Sequence, residues 1–237
     1  MTSSITPDGT GVFVVVSGGP GSGKTTLAKA LGPNLGLPVL SKDAFKEALM
    51  SAFDVPDLEA SRAIGRASVT ALLAVAADCG NAVLESVWHR TEALESLQLL
   101  PGRVVEVFCR CDLDTMAARH QARVGTRAPG HFDELRGADE LWNAETTEPV
   151  AGGWPVIEVD TDSPVDPDKL ADQVSAALET PVAALAGARP GWVVWRQDEQ
   201  GNQSEVTRRD TREVAMAVAD AMGATGSKYR FWVTEAP

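Results

Sequence analysis

A glycine-rich stretch near the amino terminus, residues 18–26, has the residue types and spacing best suited to chemistry on a nucleotide. It fits the pattern G-x-x-x-x-G-K-[ST] and lies between an apolar run and a helical pattern, as a phosphate-binding loop does. Backbone N–H groups of such a loop surround phosphate oxygens, its lysine reaches the β- and γ-phosphates, and its last hydroxyl binds Mg²⁺. The residues expected to bind a nucleoside triphosphate are Gly18, Gly19, Pro20, Gly21, Ser22, Gly23, Lys24, Thr25 and Thr26, with Lys24 also catalytic and Thr25 also a metal ligand.

Asp43 is the candidate for orienting and deprotonating a hydroxyl that accepts a phosphoryl group. It follows residues 37–40, a short apolar run that predicts the second strand. Since the carboxyl ends of parallel strands meet at one edge of a sheet, we expect Asp43 to lie beside the glycine-rich loop. A carboxylate there can accept the proton of an incoming hydroxyl. The alternative is that Asp43, or Ser41, only caps the helix predicted from Ala44.

Three arginines after the fourth predicted strand are candidates for binding the transferring phosphoryl group. Arg119 and Arg123 are four residues apart on a predicted helix and therefore share a face. Arg127 lies in the glycine- and proline-rich stretch 125–131, which also contains His131. Arginines on a mobile lid close over phosphates and stabilise charge in the transition state. Alternatively, this spacing is that of an ordinary solvated helix face.

The metal and the acceptor have further candidate ligands. No apolar run ends in an aspartate of the usual magnesium-binding kind, so Glu85, after the third predicted strand, is expected to hold Mg²⁺ or contact the acceptor. The alternatives for Glu85 are a structural role or an indirect one, in which it only orients a group that binds the metal. Trp88 and His89 could line an acceptor pocket, although Trp88 equally fits a core position. Lys42 and Lys46 could contact an anionic acceptor, or simply form a solvated helix start.

Short apolar runs alternate with helical patterns along the first part of the chain. The predicted strands are residues 12–16, 37–40, 82–87, 103–109 and 155–160. The predicted helices are residues 27–31, 44–50, 58–79, 91–100, 112–123, 138–145 and 166–178. Such alternation predicts an α/β protein with the three-layer P-loop NTPase fold, a five-stranded parallel sheet covered on both faces. Its ligand belongs at the carboxyl ends of the strands.

Several of these segments together match a known group of enzymes. The matching segments are residues 19–25, 41–46, 84–86, 105–111, 119–123 and 127–131. With them the chain, over residues 11–178, resembles the P-loop kinases of the zeta-toxin, chloramphenicol phosphotransferase and polynucleotide 5′-kinase group, which includes kinases classed as AAA-type ATPases. The resemblance implies ATP and Mg²⁺, with Asp43 as the base for the acceptor hydroxyl. It also implies that Arg119, Arg123 and Arg127 contact the phosphates.

The composition changes near the carboxyl terminus. We expect a P-loop kinase domain over residues 1–180, a linker over 181–190 and a small ββαβ module over 191–237. Two β-patterned stretches there flank a hairpin signal, and a helical pattern and a last strand follow. The module is rich in aromatic residues, which supply its own core or a docking surface. A protein partner or self-association through this module is therefore an open alternative.

Charge and hydropathy limit the partners and the location. The net charge of −12 over 237 residues makes a nucleic-acid partner unlikely, because such proteins usually carry a basic surface. No apolar run approaches the ~20 residues of a membrane span. The first residues also lack the basic segment followed by an apolar segment that is typical of a signal peptide. We therefore expect a cytoplasmic protein without a membrane partner, in which the thiols of Cys79, Cys109 and Cys111 are free and buried.

Together these features predict an ATP-dependent kinase that phosphorylates a hydroxyl of a small molecule. A nucleoside, a sugar or nucleotide-sugar, and an antibiotic all remain possible acceptors. Two other functions stay open at this stage. One is an NTP-binding switch or adaptor whose terminal module recruits a partner, and the other is a kinase of nucleic-acid 5′-hydroxyl groups.

Overall fold

Five parallel strands form the central sheet of the computed structural model, which describes residues 11–124, 128, 130–179, 191–198, 201–209, 211–224 and 229–236. The strands are β1 (Gly11–Ser17), β2 (Val39–Ser41), β3 (Asn81–Glu85), β4 (Gly102–Arg110) and β5 (Val156–Asp160), in the order β2-β3-β1-β4-β5. The helices around it are α1 (Lys24–Leu35), α2 (Lys42–Ala52), α3 (Leu58–Cys79), α4 (Arg90–Gln98), α5 (Leu113–Val124), α6 (Ala138–Leu141), α7 (Ala144–Thr147) and α8 (Pro167–Glu179), with a 3₁₀ turn at Asp133–Leu135. The predicted α/β fold with a five-stranded parallel sheet is confirmed.

Alternate residues of β1 pack on opposite faces of the sheet, because successive side chains of a strand point to opposite sides. Val12, Val14 and Val16 pack in one apolar cluster with α1 and α8. Phe13 and Val15 pack in a second cluster with α3 and α4. Helices therefore cover both faces, which accounts for the unbroken apolar run of this strand.

The register brings the carboxyl ends of three strands to one level. Val16 of β1 pairs with Glu85 of β3, and Glu85 pairs with Ser41 of β2. The segments that leave these strands are the glycine-rich loop and the start of α2. They consequently begin side by side at one edge of the sheet.

Several predicted bounds differ from those of the structure, among them the end of the third strand, Glu85 instead of residue 87, and two have a clear local reason. The predicted helix over residues 138–145 is two short helices, because Trp142 between them has extended backbone angles (φ −127°, ψ 91°). Asn143 then starts α7 with a capping box. The second strand begins at Val39 rather than at Leu37, because the Leu37 N–H closes the end of α1 on the Gly32 carbonyl. The helix over residues 58–79 is as predicted.

A second, antiparallel sheet follows in the chain. Its strands are β6 (Trp192–Gln197), β7 (Gln203–Arg209) and β8 (Arg230–Glu235), in the order β7-β6-β8, with α9 (Arg212–Ala224) between β7 and β8. Val194 and Val206 pack with α9 in a separate apolar cluster. The strand–strand–helix–strand order agrees with the predicted ββαβ module. The proposed linker, residues 181–190, lies outside the described residues.

Two further sequence expectations concern the cysteines and membranes. Only Cys109 is buried, whereas Cys79 is exposed and Cys111 is partly exposed, so the expectation of three buried thiols is wrong for two of them. None of the helices in the described ranges is long and apolar enough to cross a membrane.

Candidate active site

The glycine-rich loop has a backbone that requires its glycines. Gly18, Gly21 and Gly23 have φ of 135°, 86° and 85°, values that side-chain-bearing residues rarely adopt. A Cβ on Gly21 would also lie 2.2 Å from the carbonyl oxygen of Met116 in α5. The loop is therefore packed closely against α5, and α1 begins directly after it at Lys24.

Lys24 lies at the centre of a group of charges. Its side chain is buried, and its Nζ donates to the Gly19 carbonyl at 3.1 Å. Burial lowers the pKa of the Lys24 ammonium, while the charges of Glu85 and Asp43 act in the opposite direction and that of Arg123 lowers it further. The charges of Asp43, Glu85 and Arg123 thus all act on buried Lys24.

Glu85 ends β3 directly beside the loop and is 4% exposed. Its Oε1 accepts a hydrogen bond from Thr25 Oγ1 at 2.9 Å, and its Oε2 accepts one from Ser41 Oγ at 2.5 Å. Sequence reasoning weighed Ser41 only as a helix cap. Ser41 is the N-cap residue of α2, but its hydroxyl makes no capping bond.

The oxygen atoms of Thr25 and Glu85 fit a magnesium ion. Mg²⁺ prefers hard oxygen ligands and is usually held by one or two carboxylates or hydroxyls together with substrate phosphates. Within the described ranges, no group of three or more His, Cys, Asp and Glu side chains could hold a metal by itself. An ion at this position would therefore take water or phosphate oxygens as its remaining ligands.

Asp43 is the second residue of α2 and is not its N-cap. Its carboxylate is 46% exposed, and its Oδ1 lies 3.3 Å from Lys42 Nζ. The exposed carboxylate is open to an incoming molecule, and its charge acts on the buried Lys24. Asp43 therefore lies at the start of α2, at the edge of the sheet that carries the loop.

The arginines that sequence reasoning grouped together have different surroundings. Arg119 donates from Nη2 to the Thr161 carbonyl at 3.1 Å, and Thr161 Oγ1 donates to the Ser22 carbonyl at 2.7 Å. Arg119 is thus held beside the loop. Arg123 is exposed and lines a small cleft with Gly21, Gly23, Lys24, Thr25 and Thr26. Arg127 lies outside the described residues.

Of the proposed acceptor contacts some are exposed and others buried, and His131 of the glycine- and proline-rich stretch is buried as well. Lys46 is 2% exposed and donates to Ser61 Oγ at 2.7 Å. Trp88 is buried in the apolar cluster under α3 and α4, which favours its core alternative. His89 is exposed and precedes α4. His131 is buried, with its Nε2 3.2 Å from Glu47 Oε1 on α2.

Two residues near the loop were given no role by sequence reasoning. Trp142 donates its indole N–H to the Pro20 carbonyl at 2.9 Å. Glu106, inside the apolar β4, is fully buried and accepts four hydrogen bonds. Its donors are Ser17 Oγ, the backbone N–H groups of Val150 and Ala151, and Trp154 Nε1, at 2.6, 2.9, 2.9 and 3.1 Å. A carboxylate within an apolar strand was the only sequence signal for this cluster.

A larger cavity of about 610 Å³ lies between α5 and residues 133–142. Its walls include His120, Arg136 and Trp142, and no residue of the glycine-rich loop lines it. The loop cleft nevertheless is the candidate active site, because it combines a phosphate-binding backbone with a buried lysine and lies beside the carboxylate of Glu85.

A five-stranded parallel sheet with a glycine-rich loop after β1 defines the P-loop NTPase fold. The model of the AAA domain family matches residues 14–133, half of the chain, and the chain belongs to this family. A search of curated protein sequences with this chain found no match.

The chain is also similar to solved structures. A "putative kinase" from Chloroflexus aurantiacus is 30% identical, covers 72% of this chain and 100% of its own, and superposes with a TM-score of 0.65. A sugar kinase from a Janibacter species is 23% identical, with 76% and 99% coverage and a TM-score of 0.45. A gluconokinase from Sinorhizobium meliloti is 22% identical, with 70% and 90% coverage and a TM-score of 0.42. The last two likenesses carry no information on substrate. The predicted class, an ATP-dependent P-loop kinase, is confirmed by the family and the first of these structures.

Proposed function

We propose that this kinase transfers the γ-phosphoryl group of ATP to a hydroxyl of a small molecule, with Asp43 as the base. The observation that carries the proposal is the convergence of three groups at one edge of the sheet. Glu85 accepts hydrogen bonds from Thr25, the residue after buried Lys24, and from Ser41, two residues before Asp43. A nucleoside, a sugar or nucleotide-sugar, and an antibiotic alcohol are the candidate acceptors. The zeta-toxin, chloramphenicol phosphotransferase and polynucleotide 5′-kinase group remains our proposed subgroup.

The loop and its lysine hold the donor. Backbone N–H groups of residues 18–26 surround the phosphates, and Lys24 exchanges its bond to the Gly19 carbonyl for the β- and γ-phosphate oxygens. Thr25 and Glu85 would hold Mg²⁺, which supplies charge neutralisation on the phosphates when bound. Arg119, Arg123 and Arg127 are proposed to stabilise charge on the transferring group.

Asp43 acts on the acceptor. Its carboxylate accepts the hydroxyl proton as the acceptor oxygen forms a bond to the γ-phosphorus. The bond between that phosphorus and the β,γ-bridging oxygen breaks, and ADP leaves. Lys42, partly exposed and 3.3 Å from Asp43, is the best placed of the proposed acceptor contacts and favours an acceptor with a negative group. Lys46 and Trp88, both buried, and His89 remain weaker proposals.

The terminal module is attached far from this chemistry. Arg209 of β7 donates to the carbonyl oxygens of Gln98 and Leu100, each at 2.6 Å, just before β4 begins. This edge of the sheet is opposite to the one that carries the loop. We therefore propose that residues 191–237 serve a protein partner or self-association, and not phosphoryl transfer.

Glu85→Gln is expected to raise the Mg²⁺ concentration for half-maximal turnover about 10- to 100-fold, the usual cost of losing a group that holds or orients a metal. The neutral amide retains an oxygen for Thr25 but loses the charge that attracts the ion. Turnover measured over a Mg²⁺ titration checks this. Glu59→Gln, a change at a carboxylate 71% exposed on α3, is the control. An unchanged Mg²⁺ dependence would show that Glu85 has no part in metal binding.

A further inference from the structure

Trp142, between α6 and α7, links this part of the chain to the phosphate-binding loop. Its indole Nε1 donates to the carbonyl oxygen of Pro20 at 2.9 Å. The ring also packs against the loop, since a Cβ on Gly19 would lie 3.3 Å from Trp142 Cδ1. From α5, the ring of His120 meets the indole edge-on, with centroids 5.6 Å apart and planes at 87°. The indole is thus held between α5 and the loop.

A break between two short helices sets the direction of the Trp142 side chain. α6 ends at Leu141, Trp142 is extended, and Asn143 starts α7 with a capping box. One uninterrupted helix would point residue 142 in a different direction. The break is stabilised by its own cap and directs the indole N–H to Pro20.

The Pro20 carbonyl belongs to a turn whose form decides where the loop N–H groups point. The Ser22 N–H donates to the Gly19 carbonyl at 3.1 Å, so residues 19–22 form a hydrogen-bonded turn. Gly21, the third residue of the turn, has a φ of 86°, and Pro20 is the second residue. A positive φ at the third residue and a proline at the second are typical of a type II turn. The alternative type I turn differs mainly by reversal of the peptide between Pro20 and Gly21. Because Gly21 tolerates either sign of φ, sequence alone leaves both forms accessible.

We propose that Trp142 is a positioning residue that holds the phosphate-binding loop in its nucleotide-competent form. A trans peptide is planar, so its C=O and N–H point in opposite directions. The bond from Trp142 to the Pro20 oxygen therefore keeps the Gly21 N–H pointing away from α6 and α7. In this proposal the Gly21 N–H then meets a phosphate oxygen without rearrangement on binding. This inference rests on one part of the proposed function, the binding of ATP by the loop, and not on phosphoryl transfer.

Trp142→Phe tests the inference, because phenylalanine keeps an aromatic ring and removes the N–H donor. The matched control is Trp154→Phe, which likewise removes one indole N–H. In the wild type, this N–H donates to Glu106 Oε2 at 3.1 Å. We expect Trp142→Phe to raise the Kd of ATP and of ADP about 3- to 10-fold, the worth of one hydrogen bond. Adenosine, which lacks phosphates, is expected to have the same Ki in both variants and the wild type, as measured by its competition with a fluorescent ATP analogue whose own Kd is determined for each protein.

Calorimetric Kd values and melting temperatures of the full chain distinguish the outcomes. Trp154→Phe is expected to lower the melting temperature at least as much as Trp142→Phe, with an unchanged Kd for ATP. Unchanged ATP affinity in Trp142→Phe would overturn the inference, and so would an equal loss of affinity for ATP and adenosine. Failure of phosphoryl transfer in the wild type would overturn the proposed function but leave the Kd comparison valid.

Discussion

Asp43→Asn is expected to lower kcat about 10²- to 10⁴-fold, the usual contribution of a general base. Asparagine has nearly the same shape, but its amide cannot accept the acceptor's proton. The Kd of ATP is expected to change less than about twofold, since the loop and Lys24 bind the phosphates in both proteins. Initial rates of ADP formation with a saturating acceptor, together with calorimetric ATP binding, measure the two effects separately.

The control for this variant is Asp54→Asn, a change of the same kind at an exposed position just after α2. It is expected to leave both kcat and the Kd of ATP unchanged. If Asp43→Asn retains the wild-type kcat while ATP still binds, another group deprotonates the acceptor and Asp43 is not the base. A large loss of ATP binding instead would place Asp43 with the donor.

Glu106→Ala is expected to lower the free energy of unfolding by about 3–5 kcal/mol, because four donors would lose the buried carboxylate that accepts their hydrogen bonds. These donors are Ser17 Oγ, the N–H groups of Val150 and Ala151, and Trp154 Nε1. The carboxylate ties residues 150–154 to β4 and to the residue before the phosphate-binding loop. Urea denaturation followed by circular dichroism measures the difference.

Glu158→Ala provides the comparison, since Glu158 is exposed and pairs with Phe108 on the neighbouring strand. Its effect is expected to stay within about 0.5 kcal/mol, as for most surface substitutions. A Glu106→Ala protein as stable as the wild type would mean that the four donors find other partners. The carboxylate would then not be what holds residues 150–154 in place.

Much of the site follows from sequence because its rules are local or depend on parallel strands. The glycines, Lys24 and Thr25 are set by the pattern of the loop itself. Glu85 and Asp43 come next to it because both follow strands whose carboxyl ends share one edge. The core of β1 was predictable for a similar reason, since a strand buried on both faces needs an unbroken apolar run.

Other features depend on residues far apart in sequence, and no local pattern shows them. The donors to Glu106 lie 44 to 48 residues later, apart from Ser17. The bond from Trp142 to Pro20 spans 122 residues and coincides with a break in what reads as one helix. Lys46 looks like a surface residue at the start of a helix, yet packing against α3 buries it on Ser61. Such contacts are set by tertiary packing, which overrides local propensity.

Transfer of radiolabel from γ-labelled ATP to a panel of nucleosides, sugars, nucleotide-sugars and antibiotic alcohols tests the proposed kinase activity most directly. We expect label on the hydroxyl of at least one acceptor, with Mg²⁺ required and the Asp43→Asn protein nearly inactive. Label that appears only as inorganic phosphate with every acceptor, at a rate unchanged in Asp43→Asn, would contradict the proposal. The protein would then be an NTP-hydrolysing switch and not a small-molecule kinase.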